Sequence, residues 1–94
     1  MNSGKIQTKK AENIDTLLIE TELKDLILWN DDVNTFDFVI ETLIELCQHD
    51  AIQAEQCAIL VHHKGKCAVK KGEYEILLPI HKTFLQRGLT STIE

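Results

Sequence analysis

Leu26-Ile27-Leu28-Trp29-Asn30-Asp31-Asp32-Val33-Asn34-Thr35-Phe36-Asp37-Phe38-Val39 decides the fold: an apolar run stops at an amide and two acids, and an amphipathic run follows. Leu26 to Trp29 is too short and too apolar for a surface helix, and its branched and aromatic side chains suit a packed strand. Beyond the acids, Asn34 can cap a helix, its side-chain oxygen meeting a free N–H of the first turn, with Asp37 near the positive end of the helix dipole. Asn30 and Asp31 are therefore expected on a short, fixed strand-to-helix turn.

Outward from this corner, a helix is expected from about Thr35 to Gln48. Phe36, Ile40, Leu43, Ile44 and Cys47 form its apolar stripe, widened by Val39 and Leu46, with Glu41 and Glu45 opposite. A second helix follows Asp50 as its cap, with Ala54, Ala58 and Val61 at helical spacing, Cys57 and Leu60 beside them, and Gly65 as its stop. Lys66 to Lys71 reads as a short strand with Cys67 and Val69 pointing one way. Gly72 then turns the chain into a third helix from about Tyr74 to Gln86, offering Ile76, Leu77, Ile80, Phe84 and Leu85 for burial. Pro79 conflicts with a helix interior, where it costs about 3 kcal/mol. Either the helix proper starts near Pro79 or it is kinked there. Gly88 ends it, and Leu89, Ser91 and Ile93 alternate with Thr90 and Thr92 as in a half-buried strand.

On the other side of the corner, residues 1–20 read as a flexible N-terminal extension, with Ser3, Gly4, Lys5, Lys9 and Lys10 and no sustained period at its start. From Ile14, with Leu17, Leu18 and Ile19 before alternating Glu20, Glu22 and Lys24, an edge strand or strap is expected. Residues 21–94 form the folded domain. The order β-α-α-β-α-β implies an α+β fold in which a three-stranded antiparallel sheet packs against three helices as an α/β sandwich.

A chain of 94 residues is one domain with a thin core. Its net charge of -5 suits a phosphate backbone poorly, so nucleic acid is not expected as a partner. Nothing approaches the roughly 20 apolar residues of a membrane span, and no membrane partner is expected. The three cysteines cannot all pair within one molecule, and no export signal is evident. The chain is read as a cytoplasmic monomer.

Ligand types alone raise a metal site, from His49, His62, His63 and His81 with Cys47, Cys57 and Cys67. Structural zinc wants two close pairs, and only Cys47 with His49 makes one, so no metal and no cofactor is expected. No activated nucleophile, oxyanion pocket or phosphate loop is evident, so the chain is not read as an enzyme. The plain readings remain beside any sharper one: Asn30 and Asp31 as a solvated turn, His62 as an ordinary helix residue, Phe36 as core.

Three segments in register sharpen the picture. Asn30-Asp31-Asp32 followed by Asp37-Phe38-Val39, the run Ala58 to Lys66 with Val61-His62 before Gly65, and the ending Leu89 to Glu94 together resemble the ClpS family of Clp protease adaptors, over roughly residues 26 to 94. The resemblance implies a ClpS-like sandwich and an adaptor that binds the free, bulky hydrophobic N-terminal residue of a substrate protein, an N-degron. It implies α-amino binding by Asn30, Asp31 and His62, a pocket of Phe36, Val39, Ala58, Val61 and Leu89, and a rim of Asp32, Asn34 and Thr35. It also implies delivery to the N-terminal domain of a Clp-type AAA+ unfoldase, ClpA or ClpC-like, with the extension used during delivery and Glu75 and Lys82 as candidate contacts.

The chemistry fits the task. An ammonium has three donors and is costly to desolvate unless they are replaced, so acceptors must converge on one point. Ala58 stands where many members carry a longer side chain, so the pocket is either deeper or refilled by Phe36, and Phe, Trp, Tyr and Leu are the leading residues expected. Thr35 replaces the usual Pro, and the stretch between Val69 and Leu89 is shorter than usual. The alternative is a small module that docks on a chaperone or unfoldase without reading N-termini.

Overall fold

Strand β1, Lys24–Trp29, is the centre of the fold in the computed structural model, which describes residues 22–94. The extension expected for residues 1–20 and most of the strap expected from Ile14 lie outside the described residues. Helix α1 (Phe36–Cys47) and helix α2 (Ala51–Lys64) follow, then β2 (Lys66–Gly72), α3 (Tyr74–Gln86) and β3 (Thr90–Ile93). The three strands form one antiparallel sheet in the order β2-β1-β3, covered by the three helices, which is the α+β sandwich expected.

β1 begins two residues earlier than its apolar run implies. Lys24 and Asp25 extend the ladder opposite Gly72 and Lys71, and the cross-strand pair Lys71–Asp25 closes at 2.9 Å. Asp25 and Glu94 also exchange backbone hydrogen bonds of 2.8 and 2.9 Å. Leu26 and Leu28 point toward the helices and are buried with Leu43, Leu77 and Phe84. Full burial of such side chains contributes about 1.5–3 kcal/mol each.

The β1–β2 register slips once. Ile27 faces Ala68 while Leu26 faces Lys70, so Val69 is an extra, bulged residue. Its carbonyl meets the buried His49 ring at Nε2, 2.7 Å away. A carbonyl only accepts, so Nε2 carries the hydrogen. His49 thus fastens the α1–α2 corner to the sheet, a role its sequence context did not suggest.

Helix ends mostly follow local chemistry. Asp50 accepts from the Gln53 N–H at 2.7 Å and Gly65, at φ 92°, ends α2. At α1 the cap is Thr35 rather than Asn34: the Thr35 hydroxyl accepts from the Phe38 N–H at 3.0 Å. Asn34 is engaged elsewhere, as described below. Gln48 closes α1 in the left-handed conformation at φ 60°, a position that glycine occupies without a Cβ penalty.

The burial stripes are narrower than the apolar patterns. Thr42 joins Val39, Leu43 and Cys47 inside α1, whereas Phe36 and Ile44 are each 41% exposed. In α3 only Leu77 and Phe84 are buried, and Ile76 and Leu85 are exposed. α3 starts at Tyr74 and continues through Pro79. Pro79 lies on the exposed side of α3, as does Glu75, the residue whose carbonyl it leaves without an N–H partner.

Candidate functional site

The backbone N–H of Asn30, just past β1, donates to the Gly65 carbonyl at 2.9 Å, and this bond brings the corner after β1 against the end of α2. Between them opens a cavity of about 430 Å³. Asn30, Asp31, Asp32 and Asn34 line it from the corner, Phe36 and Val39 from α1, and Ala58, Val61 and His62 from α2. Val39, Ala58 and Val61 are buried and form an apolar floor, while Asn30 and His62 are exposed beside it.

Asp31 is the best-anchored polar side chain of this group. Its Oδ1 accepts from the backbone N–H groups of Val33 and Asn34 at 2.8 and 2.7 Å, and its Oδ2 accepts from the Asn34 amide at 3.0 Å. Partial burial pushes its carboxyl up, but these hydrogen bonds outweigh it and hold the group below its ordinary value of 3.8. Asp31 is therefore a fixed anion at neutral pH. A carboxylate has about four lone-pair positions, so three committed donors leave room for one more.

Asn34 spans the corner and a distant turn. The same amide nitrogen that donates to Asp31 also donates to the carbonyl of Gly88, at 2.9 Å, between α3 and β3. Gly88 was legible in the sequence only as a helix stop. Nothing there signals that its carbonyl reaches the corner.

Of the residues expected at the site, Asn30, Asp31 and His62 surround one cavity with Phe36, Val39, Ala58 and Val61, and Asp32 and Asn34 edge it. Leu89 and Thr35 fall outside that lining. Leu89 is buried in the core, its N–H donating to the Phe84 carbonyl at 2.9 Å, and the Thr35 hydroxyl is occupied as the helix cap. Phe36, at the mouth, is half-exposed rather than core. The side chains of Glu75 and Lys82 lie exposed on α3, away from the cavity.

The arrangement suits a small cationic donor carrying an apolar group. The donor would meet an amide oxygen, a carboxylate and an imidazole, while the apolar group would face the floor. Among the described residues no cluster of three or more His, Cys, Asp or Glu is placed to hold a metal ion. The three cysteines are free; burial pushes the Cys47 thiol up to about 11 and, with the Cys57 thiol beside it, Cys67 up to about 12. Among the described residues no helix is long and apolar enough to cross a membrane.

A family model described as ATP-dependent Clp protease adaptor protein ClpS matches residues 20–91. The ATP-dependent Clp protease adapter protein ClpS of Acetivibrio thermocellus is 38% identical over 74 residues, spanning 79% of this chain and 73% of that protein. Its namesake in Campylobacter jejuni is 42% identical over 50 residues, spanning 53% of this chain and 52% of the relative. That of Shewanella piezotolerans is 41% identical over 64 residues, spanning 61% and 63%. A solved structure of Agrobacterium tumefaciens ClpS2 bound to L-phenylalaninamide superposes with a TM-score of 0.68 at 22% identity, over 78% of this chain and 95% of that one. At that identity the likeness is one of fold.

Proposed function

This chain belongs to the ClpS family of ATP-dependent Clp protease adaptors, and from that premise we propose that its cavity holds the free N-terminal residue of a substrate protein. The α-ammonium sits among Asn30, Asp31 and His62. The first side chain enters between Phe36, Val39, Ala58 and Val61. The chain acts as an adaptor rather than a catalyst and passes its cargo to the N-terminal domain of a ClpA or ClpC-like AAA+ unfoldase, with Glu75 and Lys82 on α3 as contacts. It does so as a monomer in the cytoplasm, where free thiols stay reduced.

One observation carries this reading: polar acceptors from two separate segments and an apolar floor share a single cavity. A fixed carboxylate supplies charge, and charge-assisted hydrogen bonds are about twice as strong as neutral ones. L-phenylalaninamide, the ligand of the Agrobacterium relative, has the same two features, a free α-amine and a bulky apolar side chain. A cavity floored by Ala58 and open at Phe36 favours large leading residues such as Phe, Trp, Tyr and Leu.

The test is a titration with a short peptide led by free Phe, repeated with its amine acetylated. Acetylation should abolish most of the affinity. Equal binding of the two forms would instead favour a module that docks on the unfoldase without reading N-termini. That second reading draws on the three hydrogen bonds that Asp31 already makes within its own turn, which suit a purely structural corner.

A further inference from the structure

We infer that Asn34 is a positioning residue for the amine site: its two amide N–H groups hold the Asp31 carboxylate in one plane and tie it to the Gly88 carbonyl across the fold. This inference rests on the amine-binding reading above and assigns to Asn34 more than a place on the rim.

Two backbone N–H groups converge on Asp31 Oδ1 alone and leave the carboxylate free to swing about its last torsion. The Asn34 amide, 3.0 Å from Oδ2, removes that freedom, so the remaining lone pair points in one direction. The amide is itself held, because its second hydrogen goes to Gly88 at 2.9 Å. Both acceptors require the NH₂ end of the side chain, which fixes the amide orientation. Gly88 is in turn steadied by its neighbour: Arg87 makes two hydrogen bonds to Glu45 of α1. The direction in which Asp31 meets an ammonium is thus set through Asn34 by a residue 54 positions beyond Asn34 along the chain. Preorganisation of this kind raises affinity by lowering what must be ordered on binding.

The experiment uses the full chain and two variants, Asn34→Ala and Asn34→Ser, the second keeping a single hydroxyl donor. Each is titrated with the free-Phe peptide and its acetylated form, and the Asp31 carboxyl is followed by carbon-13 NMR as the pH of the unliganded protein is lowered. The other titratable groups lining the cavity, Asp32 in the same turn and His62 from α2, are the same in all three proteins, and Arg87 stays bound to Glu45.

Asn34→Ala should weaken binding of the free-Phe peptide, read as its Kd, roughly ten-fold. It should leave the weak binding of the acetylated form unchanged and move the Asp31 titration to higher pH. Asn34→Ser should fall between, and it carries the measurement if Asn34→Ala does not fold. Wild-type affinity in both variants, equal losses for both peptides, or an unmoved Asp31 titration would overturn the inference. Failure of the underlying reading looks different: the wild-type chain itself would not distinguish the free from the acetylated peptide.

Discussion

Arg87 grips Glu45 with two parallel hydrogen bonds, 2.9 and 2.8 Å long, joining the turn after α3 to the exposed face of α1. The hydrogen bonds from Arg87, and its charge, hold the Glu45 carboxyl below its usual 4.5. A depressed acid stabilises the fold above its unfolded value, and the contribution disappears as pH falls through the folded one. Arg87→Ala should therefore lower the melting temperature slightly at neutral pH and low salt. The loss should shrink in high salt and vanish at acid pH, which thermal melts across both variables check.

The proposed amine site makes an electrostatic prediction at both ends of the pH scale. Above about pH 8 the peptide amine loses its proton and affinity should fall. On the acid side, Asp31 remains charged until below 3.8, so its share of the affinity should persist through mildly acid conditions. Asp31→Ala should weaken the free-Phe peptide by roughly ten- to a hundred-fold, the cost of removing one hydrogen bond to a charged group. Calorimetric titration of both proteins between pH 5 and 9, in steps of about one unit, reads both effects.

Ala58 lines the cavity beside Val61 and His62. Ala58→Met should fill part of the cavity, and because Ala58 is buried within the core cluster the longer side chain should cost about 1–3 kcal/mol of stability. Peptides led by Trp or Phe should lose more affinity than one led by Leu. An unchanged order among the three peptides would remove Ala58 from the site.

Phe84 is fully buried beneath the sheet, and Phe84→Ala should cost about 3–5 kcal/mol in denaturant unfolding. That is a large share of the roughly 5–15 kcal/mol available to a small domain. The opposite sign is expected at Gln48, whose φ of 60° is unfavourable for a side chain. Gln48→Gly should stabilise the fold by up to about 1 kcal/mol.

Much of this architecture is visible in the residues themselves. The helix stops at Gly65 and Gly88, the cap at Asp50 and the alternation of Leu89, Ser91 and Ile93 are local signals, and the elements form where those signals place them. What stays hidden depends on contacts between distant segments. Asn34 satisfies the local rule for a cap, yet Asp31 and Gly88 recruit its amide and the neighbouring Thr35 takes the cap. Leu89 reads equally as pocket or as core, because one apolar side chain has no local mark of which it will face. His49 and the bulge at Val69 lie 20 residues apart, beyond the reach of any periodicity argument. The cavity is legible only as a set of residue types, and its floor and mouth are separated by burial alone.

The bond from the Asn30 N–H to the Gly65 carbonyl is made entirely by main chain. Such a tie is indifferent to which side chains stand next to it, so the side chains at 30 and 62 can change while their mounting points keep the same spacing, whereas Asp31, whose carboxylate fastens its own turn, belongs to the frame. Frame and cavity lining are separable parts, and a chain of this design is open to retooling for a different ligand without relearning how to fold.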